Sequence, residues 1–259
     1  MQIATWNINS LTVRLPQVLA WLQANPVDAL CLQELKLTDD KFPFEALKEA
    51  GYEAAAFGQK TYNGVAILSR HPLRDVVRNV PGSDDTQARV IAATLDSPLG
   101  ALRLINGYFV NGQAPDSEKF VYKLQWLQAL HDWVRSEVAQ HKRLVLVGDF
   151  NVAPEDRDSY DPVGLAGSIH HTQEERAHFQ ALLALGLTDA YRLFEQPEKS
   201  YSWWDYRMLG FQKNRGLRID HILVSDALRP AVSACTIDRA PRKNPQPSDH
   251  APVVVTLAD

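Results

Sequence analysis

A carboxylate and a carboxamide stand two residues apart in Gly148-Asp149-Phe150-Asn151, directly after the apolar run Leu144-Val145-Leu146-Val147. The run is of strand length, and a glycine at its end lets the backbone turn sharply. Two polar side chains at the mouth of a buried strand can point into one cleft and hold a hard cation or a water molecule. The bland alternative is that Asp149 and Asn151 form an Asx turn and nothing more. Further polar residues sit where strands are predicted to stop. Asn7 and Asn9 end the first strand and Glu34 the second, while Tyr108 and Asn111 follow Leu104-Ile105-Asn106-Gly107. Asp220 sits at the start of Ile219–Val224, and Asp249-His250 directly precede the last strand. Each alone fits a cap or a turn. Together they are a set of carboxylates, carboxamides and one histidine that a fold alone does not require.

The chemistry open to that set is narrow. There is no activated serine or cysteine pattern, no nucleotide-cradling glycine loop and no paired-cysteine zinc spacing. Oxygen donors with a single histidine suit Mg²⁺ or Mn²⁺ better than zinc. A hard metal with carboxylates and a histidine hydrolyses phosphate esters. In such a site an aspartate positions or deprotonates water, and a histidine held by another aspartate completes the charge stabilisation.

The elements that must position these residues follow from periodicity. Strands are predicted over Gln2–Asn7, Asp28–Gln33, Tyr52–Phe57, Val65–Ser69, Leu73–Arg78, Val90–Leu95, Leu102–Gly107 and Leu144–Val147, then Ile219–Val224, Ala231–Ile237 and Pro252–Leu257. Helices are predicted over about Val13–Gln23, with Pro16 in the first turn, over Phe42–Ala50, and over Glu174–Leu185. A long helix from about Asp116 to Gln140 carries the stripe Phe120, Leu124, Leu127, Leu130, Val134 and Val138. Residues 155–172 and 196–216 read as irregular. Strands with interspersed helices predict an α/β chain of mixed sheets with helices outside, and no linker divides residues 1–259, which reads as a single domain.

Composition excludes little. The 259 residues are 45% hydrophobic and 22% charged with a net charge of −4, so any basic surface for nucleic acid must be local. Cys31 and Cys235 lie in apolar stretches and read as small core residues. No apolar span reaches the ~18 residues of a membrane helix and no signal pattern opens the chain, so a reducing, cytoplasmic setting without a membrane partner is expected.

Seven short motifs then occur in order: Trp6-Asn7-Ile8-Asn9, Leu32-Gln33-Glu34, Gly64-Val65-Ala66-Ile67, Tyr108-Phe109-Val110-Asn111-Gly112, Gly148-Asp149-Phe150-Asn151, Arg218-Ile219-Asp220-His221 and Ser248-Asp249-His250-Ala251-Pro252. In this order and spacing the chain resembles the exonuclease III family of DNA-repair nucleases, a branch of the endonuclease/exonuclease/phosphatase superfamily. The resemblance spans nearly the whole sequence. It implies a four-layer α/β sandwich of two packed mixed sheets flanked by helices. It also implies Mg²⁺, with Mn²⁺ as a substitute, held principally by Glu34 with Asn7, Asp149, Asn151, His250 and Asp249 as further ligand positions. Asp149 would orient or activate water, with Asn151 contacting the phosphate. Tyr108 would meet the scissile phosphate or the leaving oxygen, and His250, oriented by Asp220, would bind a phosphoryl oxygen.

Superfamily members also cleave inositol phosphates or sphingomyelin, so the metal motifs do not name the substrate. Tyr201-Ser202-Trp203-Trp204-Asp205-Tyr206-Arg207 and Lys213–Arg218 interleave aromatic rings with basic residues, which supplies stacking faces and phosphate partners for DNA. The resemblance implies that Trp203, Trp204 and Leu217 line a pocket for a base-less deoxyribose. Asn111, Arg89, Arg207, Lys119 and Lys123 are further candidate substrate contacts, although lysines on a helix are usually a solvated face. Val110 stands where the family often has proline, and His221 where tyrosine or leucine is common. His170, in Ile169-His170-His171-Thr172, is expected either to be an inert loop residue or to project into the cleft. In the second case it would block a continuous strand while admitting a terminus. The expectation is a monomeric 3′-5′ exonuclease and 3′-end-processing enzyme acting on duplex DNA with 3′ ends, nicks or abasic sites. Its abasic-site endonuclease activity would be weak. The alternatives are a predominantly abasic-site endonuclease, a small- or lipid-phosphate phosphatase, and a catalytically silent binding protein on the same fold.

Overall fold

The computed structural model describes residues 1–258. In chain order its strands are β1 (Gln2–Asn7), β2 (Ala29–Gln33), β3 (Glu53–Phe57), β4 (Val65–Ser69), β5 (Leu73–Arg78), β6 (Val90–Ser97) and β7 (Gly100–Tyr108). They continue with β8 (Leu144–Asp149), β9 (Leu187–Asp189), β10 (Trp203–Trp204), β11 (Gly216–Leu217), β12 (Asp220–Ser225), β13 (Val232–Ile237) and β14 (Val253–Leu257). The helices longer than one turn are α1 (Leu11–Ala24), α2 (Phe44–Glu49), α3 (Glu118–Gln140) and α4 (Gln173–Leu183).

Two six-stranded sheets, ordered β13-β14-β1-β2-β4-β3 and β5-β6-β7-β8-β12-β9, lie face to face. Alternation along the strands explains the layering, since each strand sends one row of side chains inward and one outward. Ile3, Cys31, Val65 and Ile67 of the first sheet share a core with Ile91, Leu104, Val145, Val147 and Ile222 of the second. The opposite rows pack on helices. Ala4, Trp6, Leu30 and Leu32 meet Val18, Trp21 and Leu22 of α1, while Ile105, Leu144 and Leu146 meet Trp126, Leu130 and Val134 of α3. This is the four-layer sandwich. One polar bridge crosses the inner layer: Gln33 Nε2 donates to Asn106 Oδ1 at 2.8 Å, and Asn106 Nδ2 donates to the carbonyls of Leu32 and Ala66, both at 2.9 Å.

Each sheet contains one parallel pair, β1/β2 and β7/β8, with antiparallel neighbours on both sides. A parallel pair brings two strand C-termini to one edge, and an antiparallel neighbour brings a strand N-terminus to the same edge. That edge therefore collects Asn7, Glu34, Tyr108 and Asp149 from strand exits and Asp220, His250 and Arg89 from strand entrances. The strand Leu144–Val147 runs on through Gly148 to Asp149 instead of turning at the glycine. Gly148 is opposite Gly107 in the parallel pair, and a Cβ on it would lie 1.9 Å from the Gly107 carbonyl oxygen. The glycine is needed for close approach, not for a turn. Helix α1 begins at Leu11, so Pro16 falls in its second turn, not its first. The stretches read as irregular hold the short β10/β11 ribbon, while β9 follows α4.

Candidate active site

At the collecting edge, Asp149 uses its two oxygens differently. Oδ1 accepts the Asn151 backbone N–H at 3.0 Å, an Asx turn, while Oδ2 accepts Asn7 Nδ2 at 3.0 Å. Asn7 Nδ2 also donates to Glu34 Oε2 at 2.7 Å, and Asn7 Oδ1 accepts the Asn9 backbone N–H at 3.0 Å. That backbone donor fixes which end of the carboxamide is oxygen. The amide of Asn7 therefore turns its N–H₂ to both carboxylates and spaces them. Glu34 sits at φ 55 and Asn151 at φ 50, in the left-handed region that costs a non-glycine residue about 1 kcal/mol. Lys36 Nζ lies 3.4 Å from Glu34 Oε1 and donates to Asn9 Oδ1 at 2.6 Å. Sequence reading missed this lysine beside the carboxylate cluster, although its place two residues after Glu34 was a usable signal.

His250 stands between two aspartates. Its Nδ1 is 2.9 Å from Asp220 Oδ2, and its Nε2 is 3.6 Å from Asp149 Oδ2. Burial lowers the imidazole's pKa, but the Asp220 and Asp149 carboxylates outweigh it and hold the ring well above its ordinary value as an imidazolium. Burial raises the Asp149 carboxyl, with the His250 charge opposing. Asp220 is held by Ser202, whose hydroxyl donates to Asp220 Oδ2 at 2.6 Å and accepts the Asp220 N–H at 3.0 Å. No sequence signal marked Ser202.

Glu34, Asp149 and His250 offer ligand atoms all within 4.8 Å of one another. The two carboxylates fit a hard divalent cation, whose charge would offset their repulsion. The His250 ring adds a third ligand atom when neutral and, when protonated, a donor for an anionic oxygen. Asp249 stands apart from the three, with its oxygens accepting Asn9 Nδ2 at 3.2 Å and Trp203 Nε1 at 3.0 Å. The Asn151 carboxamide donates to the Phe109 carbonyl at 2.9 Å and accepts Asn111 Nδ2 at 3.3 Å, so it braces the neighbouring loop.

On one flank, Arg89 lies over the Tyr108 ring, 5.0 Å from its centroid, and donates to the Tyr108 carbonyl at 3.2 Å. Desolvation and then the Glu34 and Asp149 charges push the Tyr108 phenol well up, so it stays an O–H donor. Arg89, Asn111 and Lys119 line a cleft of about 560 Å³ there. Lys123, expected either as a phosphate contact or on a solvated face, is fully buried instead.

On the other flank a cleft of about 420 Å³ is walled by Trp203, Leu217, Arg207 and His170. Arg207 is exposed there and paired with Asp205 at 2.7 Å. Trp204 is not a wall of that cleft. Strand alternation turns it inward, where it is fully buried against Tyr201 and Ala251, with Nε1 donating to Asn214 Oδ1 at 3.0 Å. His170 is buried at φ 70, and its Nδ1 donates to the Asn151 carbonyl at 2.7 Å. Burial, then the Lys123 charge, lowers this ring to about 3 and keeps it neutral.

The model of the endonuclease/exonuclease/phosphatase family matches residues 4–250. The chain is 36% identical to the exodeoxyribonuclease III of Haemophilus influenzae over 98% of both sequences. Among solved structures it resembles the 3′ phosphatase NExo from Neisseria bound to a product DNA hairpin, with TM-score 0.97, 51% identity and 100% of both chains covered. It also resembles an AP endonuclease from Archaeoglobus fulgidus, with TM-score 0.93, 35% identity and 99% of both chains covered. With its fold, its edge cluster and these matches in agreement, the chain belongs to the endonuclease/exonuclease/phosphatase family.

Proposed function

We propose that the chain is a DNA-repair phosphodiesterase of exonuclease III type that uses Mg²⁺, with Mn²⁺ as a substitute, and works chiefly at 3′ ends. It would remove nucleotides and blocking phosphates from duplex DNA at termini and nicks, acting as a monomeric single domain in the cytoplasm. A divalent cation held by Glu34 and Asp149 would supply charge neutralisation at the phosphoryl oxygens. Asp149 Oδ2 orients the attacking water and draws off its proton. The His250 imidazolium, steadied by Asp220 and Ser202, donates to a phosphoryl oxygen, and the Tyr108 O–H donates to the phosphate or the leaving oxygen. Arg89 and Asn111 on one side, and Trp203, Leu217 and Arg207 on the other, hold the strand.

The observation that carries the 3′ preference is His170. Its ring is fixed to the Asn151 carbonyl at 2.7 Å, and the residue lines the wall of the cleft that Trp203 and Leu217 share. A strand continuing past the scissile phosphate would have to cross that wall, whereas a terminus would not. The likeness to a 3′ phosphatase supports the same reading. The presence of Trp203 and Leu217 in the cleft favours abasic-site incision as the second activity, as does the likeness to an AP endonuclease.

The test compares 3′-phosphate release with incision at an internal abasic-site analogue in Mg²⁺, for the wild type and His170→Gly. Glycine accepts φ 70 without strain, so the variant should fold. The wild type should favour the 3′-phosphate, and His170→Gly should raise relative abasic incision about tenfold, a change of about 1.4 kcal/mol in the barrier difference. Equal efficiency that does not change in the variant would overturn the preference.

A further inference from the structure

Lys123 has no exposed surface, and all three of its ammonium protons are used. Nζ donates to the Asn151 carbonyl at 2.8 Å, to the Asn111 carbonyl at 3.1 Å and to Glu175 Oε1. Glu175 is itself buried, and its oxygens also accept the backbone N–H groups of His170 and Thr172, both at 3.1 Å. Room for the lysine stem comes from Gly112, where a Cβ would lie 2.9 Å from Lys123 Cδ. Packing alone does not call for this arrangement. An apolar side chain on this face of α3 would avoid the several kcal/mol it costs to bury a charge. The two carbonyls that the ammonium reaches are those of the loop leaving β7 and the turn leaving β8. These segments begin directly after Tyr108 and Asp149, the last residues of β7 and β8.

We infer that Lys123 is a positioning residue for hydrolysis. The ammonium fixes the Asn111 and Asn151 carbonyls relative to each other, and Glu175 holds the ammonium in place. The Asn111 and Asn151 residues, which follow the β7/β8 pair that sets Tyr108 opposite Asp149, are thereby held in place by a group that touches neither substrate nor metal. Misplacement by about 1 Å at a reacting centre costs on the order of a hundredfold in rate. Loss of the ammonium should therefore appear in kcat, while the clefts that hold DNA remain. The inference rests on hydrolysis of DNA phosphate esters at Asp149, not on the preference for 3′ ends.

Lys123→Met keeps the length of the stem and removes the donors. The experiment measures kcat and KM of this variant for 3′-phosphate release and for internal abasic incision, alongside thermal unfolding. The expected result is a kcat lowered at least tenfold on every substrate the wild type cleaves, with KM within threefold, at a temperature where the variant is folded. Folded Lys123→Met with kcat within twofold of the wild type overturns the inference and leaves the lysine a packing residue. If Lys123→Met does not fold, Glu175→Gln decides. A kcat at least fivefold lower at unchanged KM supports the inference, and wild-type kcat overturns it. A wild type inactive on both substrates would instead contradict the function proposed above.

Discussion

At Asp149 the Asx turn and a carboxylate oxygen turned to the edge cluster are one residue, because one oxygen accepts the Asn151 N–H and the other faces Asn7 and His250. The sequence posed these as alternatives, and a carboxylate has enough lone pairs for both. What sequence could not convey is direction: which end of the Asn7 amide faces the cluster, or that Ser202 lies behind Asp220. His221 is a packing residue, between the rings of Phe150 and Phe179 with centroids 5.1 Å from each. Its Nε2 donates to the Val152 carbonyl at 2.9 Å, and its Nδ1 accepts the Arg218 guanidinium at 3.1 Å, so it is neutral. Burial, then the Arg218 charge, lowers it to about 4. The unfolded ring takes up a proton below its ordinary value near 6.5, and the folded ring does not until about 4. Stability from His221 is thus fully present above pH 6.5 and is lost as pH falls toward 4, to an extent of about 3 kcal/mol. His221→Gln should lose less stability than the wild type on acidification across that window, which shows as a changed slope of melting temperature against pH. An equal slope in the variant would contradict this account.

Among the elements, the parallel pair β7/β8 bears most directly on the chemistry, because it sets Tyr108 opposite Asp149. Gly107 and Gly148 let the two backbones meet at that register. Gly148→Ala would drive a methyl into the Gly107 carbonyl, which lies 1.9 Å from the ideal Cβ position, and the fixed backbone of a central sheet cannot yield. The expected cost is more than about 4 kcal/mol, measured by denaturant unfolding; a loss under 1 kcal/mol would mean the strands part freely. Most of the longer strands were legible in the sequence as continuous apolar runs such as Leu144–Val147, because a strand buried on both faces is apolar throughout, and so were all four helices. Strands β9, β10 and β11 were not legible, being only two or three residues long and too short to show a period. Trp204, which the family resemblance put in the pocket, turns inward instead, and nothing in a two-residue strand tells which of two adjacent rings does so. Lys123 had a signal that was passed over. It lies on the helical face of Phe120, Leu127 and Leu130, which are buried with it.

For the whole molecule, two sheets sharing one inner core bring strand ends from across the chain to a single edge, with a cleft on each flank. The net charge of −4 does not announce a DNA partner, and the cationic groups that line the clefts are local, namely Arg89 and Lys119 in one and Arg207 and Arg215 in the other. On the proposed function, the flanks would bind DNA and the edge cluster would hydrolyse it. The measurement that tests this most directly is 3′-phosphate release from duplex DNA by the wild type and by Asp149→Ala, with and without EDTA, beside DNA affinity measured on the same preparations. The account predicts Mg²⁺-dependent release by the wild type that EDTA abolishes. It also predicts a loss of at least about a thousandfold in Asp149→Ala, about 4 kcal/mol of barrier, with affinity within threefold of the wild type. Release by Asp149→Ala at a rate close to the wild type would contradict it.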